Sequence, residues 1–299
     1  MLIYISAESA SPRAKRDIVN NSKTHSKTQS HFYHIVVFLM DVYVICLDKT
    51  FDTRCKPTLD SWDVIRNAAR EELQMDVAVH RVAAVTPADF DQEDVIHPYT
   101  RDCIMNKHRN TTDILGSQVE AACFLSHLKC WELIQQSGRM GIVVEDDGWR
   151  NKKTGLQRLQ QVQGRPADTD IFLCEHAPVK FVYKQHKHSH YRQVNKFVGC
   201  MFYAMTPQCA SKVIEHALPL SVNVDTYLSS CIGPLGLKVY SRKGNHLPVL
   251  DFFVQNTKST LGKGHYTSAL LNLSIASVVV LCLLLVFVGL YARLRLQQR

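Results

Sequence analysis

Apolar positions along the first two thirds of the chain change spacing repeatedly, from near-continuous runs to stripes three and four residues apart. "VYVICL" at 42–47 is a run of β-branched and aromatic residues and predicts a strand. In "TLDSWDVIRNAAREEL", Leu59, Trp62, Ile65 (or Arg66), Ala69 and Leu73 fall on one face and predict a helix, and "VAVHRVAAV" returns to strand spacing. A second helix is bounded on both sides. Ser117 and Glu120 in "SQVE" form a capping box, Phe124, Leu128, Trp131 and Ile134 make the inner stripe, and Gly138 supplies the stop. The strand "GIVV" follows within a few residues, so helix and strand are neighbours in space. Further on, "LQRLQQV" reads as an amphipathic helix, "DIFLCE" and "VKFVY" as strands, and "TPQCASKVIEHAL" as a helix capped by Thr206 with Pro207 at its first position. The βαβ rhythm predicts an α/β fold with a parallel sheet and covering helices.

The ends of the chain break this pattern. Residues 1–31 are polar, without periodicity, and are expected to form a disordered leader. The apolar run that follows is interrupted by Asp41, which makes it a poor signal-peptide core and a better strand approach. At the other end, Ser268 to Tyr291 contains no charged residue over 24 positions. At about 1.5 Å per residue a helix of that length more than spans a bilayer core of roughly 30 Å, so one C-terminal transmembrane helix is expected over 268–291. Arg293, Arg295 and Arg299 in the short basic tail at 292–299, against Lys258 and Lys263, favour a cytosolic tail and a lumenal or extracellular domain. A tail-anchored cytosolic domain is the alternative orientation.

Composition narrows the class. The chain has 299 residues, 46% hydrophobic and 21% charged, enough for a sizeable core. Its formal charge of +8 suits anionic partners, but the excess is scattered rather than striped, so no nucleic-acid partner is expected. Ten cysteines occur without any CxxC, and Cys46 and Cys174 lie in apolar runs where a buried thiol packs as a small hydrophobe. No GxGxxG, GxxxxGK or HExxH string is present, which argues against dinucleotide, P-loop and zincin chemistry.

The chemistry concentrates in "GIVVEDDGWR". Glu145, Asp146 and Asp147 stand at the carboxyl end of a predicted strand, where open α/β sheets bind ligands. Carboxylates crowded there repel one another unless a cation or strong donor lies between them. Alternation sends Glu145 and Asp147 to one side and Asp146 to the other, and a pair of carboxylates suits a hard divalent ion that also takes phosphate oxygens. A solvated acidic turn is the competing reading. His186, His188 and His190 alternate similarly, either as a transition-metal site or as an exposed hairpin face.

The stretch "EAACFLSHLKCWELIQQSGRMGIVVEDD" resembles the family 25 glycosyltransferases, the lipooligosaccharide and collagen galactosyltransferase group, whose hallmark is Glu-x-x-Cys-x-x-Ser-His, a Trp, and a hydrophobic strand ending Glu-Asp-Asp. In order along the chain, "YVICLDKTFDTR", "VGCMFYAMTPQCASKVI" and "PVLDFFVQNTKSTLG" are similar to the family's opening strand, its Gly-x-x-x-Tyr segment and its closing motif. Ala122, Gly148 and Trp149 depart from the usual pattern without removing a chemical group.

The resemblance implies a GT-A-like nucleotide-sugar-binding sheet in a catalytic domain placed at 32–262. It implies a metal-dependent, inverting enzyme that moves a hexose, galactose by the same likeness, from a UDP-sugar to a glycan or glycoprotein. Asp147 would bind Mn²⁺ or Mg²⁺, with Glu145 helping through the metal or the donor. Asp225 is the candidate base, against a helix N-terminal carboxylate; His127 is placed near donor phosphate, against a packed helix histidine. Arg54 would clamp the diphosphate, since a guanidinium matches phosphate oxygens in a bidentate way, against an exposed loop arginine. His246 is a further late residue considered for the metal shell. Glu120 is assigned to capping. The rival from another class is a catalytically inactive, membrane-anchored module that binds glycan or nucleotide on the same fold.

Overall fold

The computed structural model describes residues 38–105, 115–146, 151–175, 183–184 and 190–242. The leader at 1–31, the apolar span at 268–291, the tail at 292–299 and the residues Asp147, His186, His188 and His246 lie outside them. Among the described residues no helix is long and apolar enough to cross a membrane.

The first strand, β1 (Phe38–Cys46), is buried along nearly its whole length, as an apolar run interrupted only by Asp41 requires of a strand covered on both faces. A 3₁₀ turn (Asp48–Thr50) and a π turn (Phe51–Cys55) lead into α1 (Lys56–Leu73), which buries Trp62, Ile65, Ala68 and Ala69. β2 (Met75–Ala83) then pairs parallel with β1. Two short helices, α2 (Gln92–Val95) and α3 (Pro98–Met105), precede α4 (Gln118–Ser137) and β3 (Gly141–Glu145). α5 (Lys152–Gln163), β4 (Ile171–Glu175), β5 (Tyr183–Lys184), β6 (Tyr191–Val194) and β7 (Phe202–Met205) follow. The described chain ends with α6 (Pro207–Glu215), α7 (Val224–Cys231) and β8 (Val239–Arg242).

The strands form one eight-stranded sheet in the order β2-β1-β3-β7-β4-β8-β6-β5. It is not wholly parallel. β7 runs against both β3 and β4, and β6 runs against β5 and β8. The expectation of a parallel sheet therefore holds for β1–β2, β1–β3 and β4–β8 and is corrected elsewhere. The reason lies in strand order: β7 enters between β3 and β4 after a hairpin region, and local apolar spacing is the same for either direction of pairing.

Side-chain alternation divides the core. Val42, Val44, Ile142 and Val144 face α1 and α5, while Tyr43, Ile45 and Val143 face α4, α6 and α7. Phe124, Leu128, Trp131 and Ile134 are all buried, as the stripe on α4 predicts. Ser117 Oγ accepts from the Glu120 N–H, and the Glu120 carboxylate accepts from the Gly116 N–H, so this acid serves the helix end. Gly138 closes the helix at φ 64°.

A buried disulfide joins Cys46 to Cys55 across a Cα–Cα distance of 5.3 Å. This corrects the reading of Cys46 as a packed thiol: the turn after β1 folds Cys55 back beside it, a proximity that the apolar run around Cys46 does not encode. Cys174 is the buried thiol expected.

Gly141 begins β3 where α4 crosses it. A Cβ there would lie 2.8 Å from Tyr43 Cε2 and 2.9 Å from Ile134 Cδ1. Gly141→Ala is therefore expected to cost about 1–3 kcal/mol by overpacking. The measurement is a lowered urea midpoint with an unchanged slope.

Candidate functional site

β3 delivers two acids to its carboxyl end, and alternation sends them to opposite faces of the sheet. Asp146 turns toward the α1 side. There Arg54 Nη2 pairs with Asp146 Oδ1 at 3.0 Å, Thr50 Oγ1 donates to Oδ2 at 3.3 Å, and Thr58 Oγ1 donates to the Asp146 carbonyl at 2.8 Å. Burial pushes the Asp146 carboxyl above its ordinary value, Arg54 pulls it back, and the charge of Glu145 pushes it up again. Arg54 thus braces the turn, with its side chain 20% exposed at the strand end.

Glu145 turns the other way, toward α4. His127, fully buried, places Nε2 3.3 Å from Glu145 Oε1 and Nδ1 3.0 Å from Tyr203 Oη. Trp131 Nε1 donates to the same Tyr203 oxygen at 2.6 Å. Burial pushes the Tyr203 phenol well above its usual range, so it keeps its proton. An indole can only donate and a carboxylate can only accept, so Trp131 N–H points to Tyr203 and, in the tautomer that serves Glu145, His127 Nε2–H points to the carboxylate while Nδ1 accepts the Tyr203 O–H. His127 is both the packed helix histidine of one reading and a direct partner of the acidic cluster.

The third participant comes from the far side of the chain. Asp225 lies in the first turn of α7, which is capped by Asn223. Its two oxygens accept N–H bonds from Gly199 at 2.8 Å and Thr226 at 3.0 Å. Burial raises the Asp225 carboxyl above its ordinary value, those N–H bonds lower it, and the negative charge of Glu145 adds to the rise. Gly199 presents its N–H from φ 80°, a conformation that disfavours a side chain. The carboxylate therefore sits at a helix N-terminus and also within electrostatic reach of Glu145.

Of the residues singled out by sequence, the structure brings Glu145, His127 and Asp225 into one corner and sets Arg54 on the opposite side of the strand end through Asp146. Three contributors stood in the motifs of the resemblance without an assigned chemical role: Tyr203, Trp131 (otherwise read as part of the inner stripe) and Cys123. The spacing of Cys123 and His127, one helical turn apart and just ahead of the acidic strand, was a usable signal for Cys123. Tyr203 was marked only as the tyrosine of the Gly-x-x-x-Tyr segment in the family resemblance, and it arrives on an antiparallel strand more than 70 residues away. Ser126, next to His127, donates to the Ala122 carbonyl and accepts from the Val85 N–H, tying α4 to the segment after β2.

Residues 40–228 match the sequence model of glycosyltransferase family 25 (LPS biosynthesis protein). No curated protein matches the chain. Among solved structures, 4-diphosphocytidyl-2C-methyl-D-erythritol synthase from Anaerococcus prevotii DSM 20548 aligns at a TM-score of 0.34 and 9% identity, over 71% of this chain and 91% of that one. The apo form of mouse xyloside xylosyltransferase 1 aligns at a TM-score of 0.29 and 9% identity, over 74% of this chain and 82% of that one.

Proposed function

This chain belongs to glycosyltransferase family 25, and from that membership we propose that it is a metal-dependent, inverting hexosyltransferase of the GT-A kind. Its donor on this reading is a UDP-hexose such as UDP-galactose, and its acceptor a glycan or glycoprotein. The observation that supports the reading is a buried carboxylate, Asp225, held by the Gly199 and Thr226 N–H groups within electrostatic reach of Glu145 at the end of β3.

In the proposed reaction an acceptor hydroxyl oxygen attacks the anomeric carbon while the bond from that carbon to the diphosphate oxygen breaks. The hydroxyl proton passes to Asp225, a general base whose raised affinity for the proton suits the task. Glu145, oriented by the His127 N–H, faces the donor. Glu145 and Asp147 would hold Mn²⁺ or Mg²⁺, and an oxygen-only donor set suits either ion. The bound ion would supply neutralisation of charge on the departing diphosphate. Arg54, anchored on Asp146, would clamp the donor diphosphate on this reading.

We place the catalytic domain at 32–262 behind a leader at 1–31, with an anchor at 268–291 and the domain on the lumenal or extracellular side. The Cys46–Cys55 bridge supports that side, because disulfides persist in oxidising compartments.

The test is manganese-dependent release of UDP from a panel of nucleotide sugars by the full chain. Asp147→Asn is expected to abolish it. Tight glycan binding with no turnover on any donor would instead identify an inactive binding module.

A further inference from the structure

Cys123 and His127 stand four residues apart on α4, which puts their side chains on one face of the helix. β3 brings Glu145 to the same point. One ligand atom from each of the three lies within 4.8 Å of the others. We propose that Cys123, His127 and Glu145 form a binding site for a divalent cation of the zinc class. This site shares Glu145 with the proposed donor site but does not depend on the transferase reading.

The donor set decides the class of ion. A thiolate and an imidazole select zinc-like cations over magnesium and manganese, which prefer oxygen throughout. Bond lengths of about 2.3 Å to sulfur and about 2.0–2.1 Å to nitrogen or oxygen at tetrahedral angles place two ligands of one ion about 3.3–3.6 Å apart. The three ligand atoms lie within 4.8 Å of one another, and rotation of the partly exposed Cys123 and Glu145 side chains must draw them together on binding. Three protein ligands leave a fourth position open, the arrangement of zinc sites that hold water or a small ligand. The Glu145 side chain, 23% exposed, opens the group to solvent.

The support behind His127 also suits a metal ligand. Ligating histidines need the second ring nitrogen held by an oriented partner, and Tyr203, itself fixed by Trp131, holds Nδ1. Binding forms a metal–sulfur bond and releases the Cys123 thiol proton to solvent. The His127 ring proton moves from Nε2, which takes the metal, to Nδ1, which then donates to the Tyr203 oxygen. Tyr203 gives up its bond to Nδ1 in exchange, and the metal–ligand bonds outweigh that loss.

The experiment uses the full chain freed of metal and titrated with Co²⁺, then Zn²⁺, without any sugar donor. The expected result is a thiolate-to-cobalt charge-transfer band in the near ultraviolet that Zn²⁺ displaces. Cys123→Ser loses the band, whereas Cys103→Ser, on α3, keeps it. Glu145→Gln keeps the band but weakens Co²⁺ binding by at least about 10–100-fold, the loss typical even of groups one shell further out. Absence of the band, its survival in Cys123→Ser, or equal loss in Cys103→Ser overturns the proposal. Far-ultraviolet circular dichroism of each variant separates loss of the site from loss of the fold. Failure of the transferase reading would show only in the UDP-release measurement, which needs no cobalt.

Discussion

Asp225→Asn is expected to lower the rate of sugar transfer by about 10²–10⁴-fold, the usual worth of a positioned general base, with donor binding retained. Its two carboxylate oxygens each accept a backbone N–H, from Gly199 and Thr226, and the Asn amide oxygen can replace only one of them, so far-ultraviolet circular dichroism of the variant accompanies the rate measurement. Donor affinity, read by calorimetry with UDP, separates this residue from the metal ligands, whose loss should weaken nucleotide binding. An Asp225→Asn protein that turns over at the parental rate would remove Asp225 from the chemistry.

The same carboxyl makes a prediction about pH. A base must be ionised, so kcat/KM of the parent should fall on acidification through an apparent pKa above the ordinary carboxylate range, because burial raises this group. Stability follows the opposite sense. Native Asp225 keeps its proton to higher pH than the unfolded chain does, so protonation favours the native state. Its contribution is greatest at low pH and declines as pH rises from the unfolded value through the raised native one. Asp225→Asn removes that decline, which denaturation at a series of acidic pH values would show as a flatter profile.

Arg139→Ala is expected to be strongly destabilising although it lies away from the site. Asp41 lies within β1 with its side chain only 1% exposed, and Arg139 grips it through Nε at 2.8 Å and Nη2 at 2.9 Å. His80, stacked on Tyr43, touches the same carboxylate at 3.0 Å. Removing the arginine leaves a buried charge with a single weaker partner. Breaking a fully buried pair costs about 3–5 kcal/mol, and the 36% exposure of Arg139 together with the remaining His80 contact puts this case at no more than about 3 kcal/mol. In a domain of this size that lowers Tm by no more than about 6–12 °C. The double variant Asp41→Leu/Arg139→Met should recover most of the loss, because replacing both charges with apolar groups leaves none unpaired. Failure to recover would mean that the arginine acts through packing alone.

Asp41 also shows how much of this fold was legible. As an interruption in an apolar run it argued against a signal-peptide core and for a strand, and β1 runs straight through it. What silences its charge, Arg139 and His80, lies in segments that no local pattern connects to it. The stripes of α1 and α4, the Ser117 cap, the Gly138 stop and the Thr206–Pro207 start of α6 were equally legible, because each is a contest among neighbours within about one turn. The short helices α2, α3 and α7 carried little periodic signal, since fewer than three turns hold too few apolar repeats to stand out.

By itself the sequence determined the alternating α/β order, the acidic end of β3 and the identity of the chemical groups, since these depend on residue type and short-range spacing. Only the tertiary structure decided that β7 runs antiparallel, that Cys46 is bridged, and that Tyr203 and Asp225 join His127 and Glu145. Those outcomes depend on which distant segments pack together. Pairing across such separations is set by burial of the whole sheet, not by preferences that any one segment displays alone.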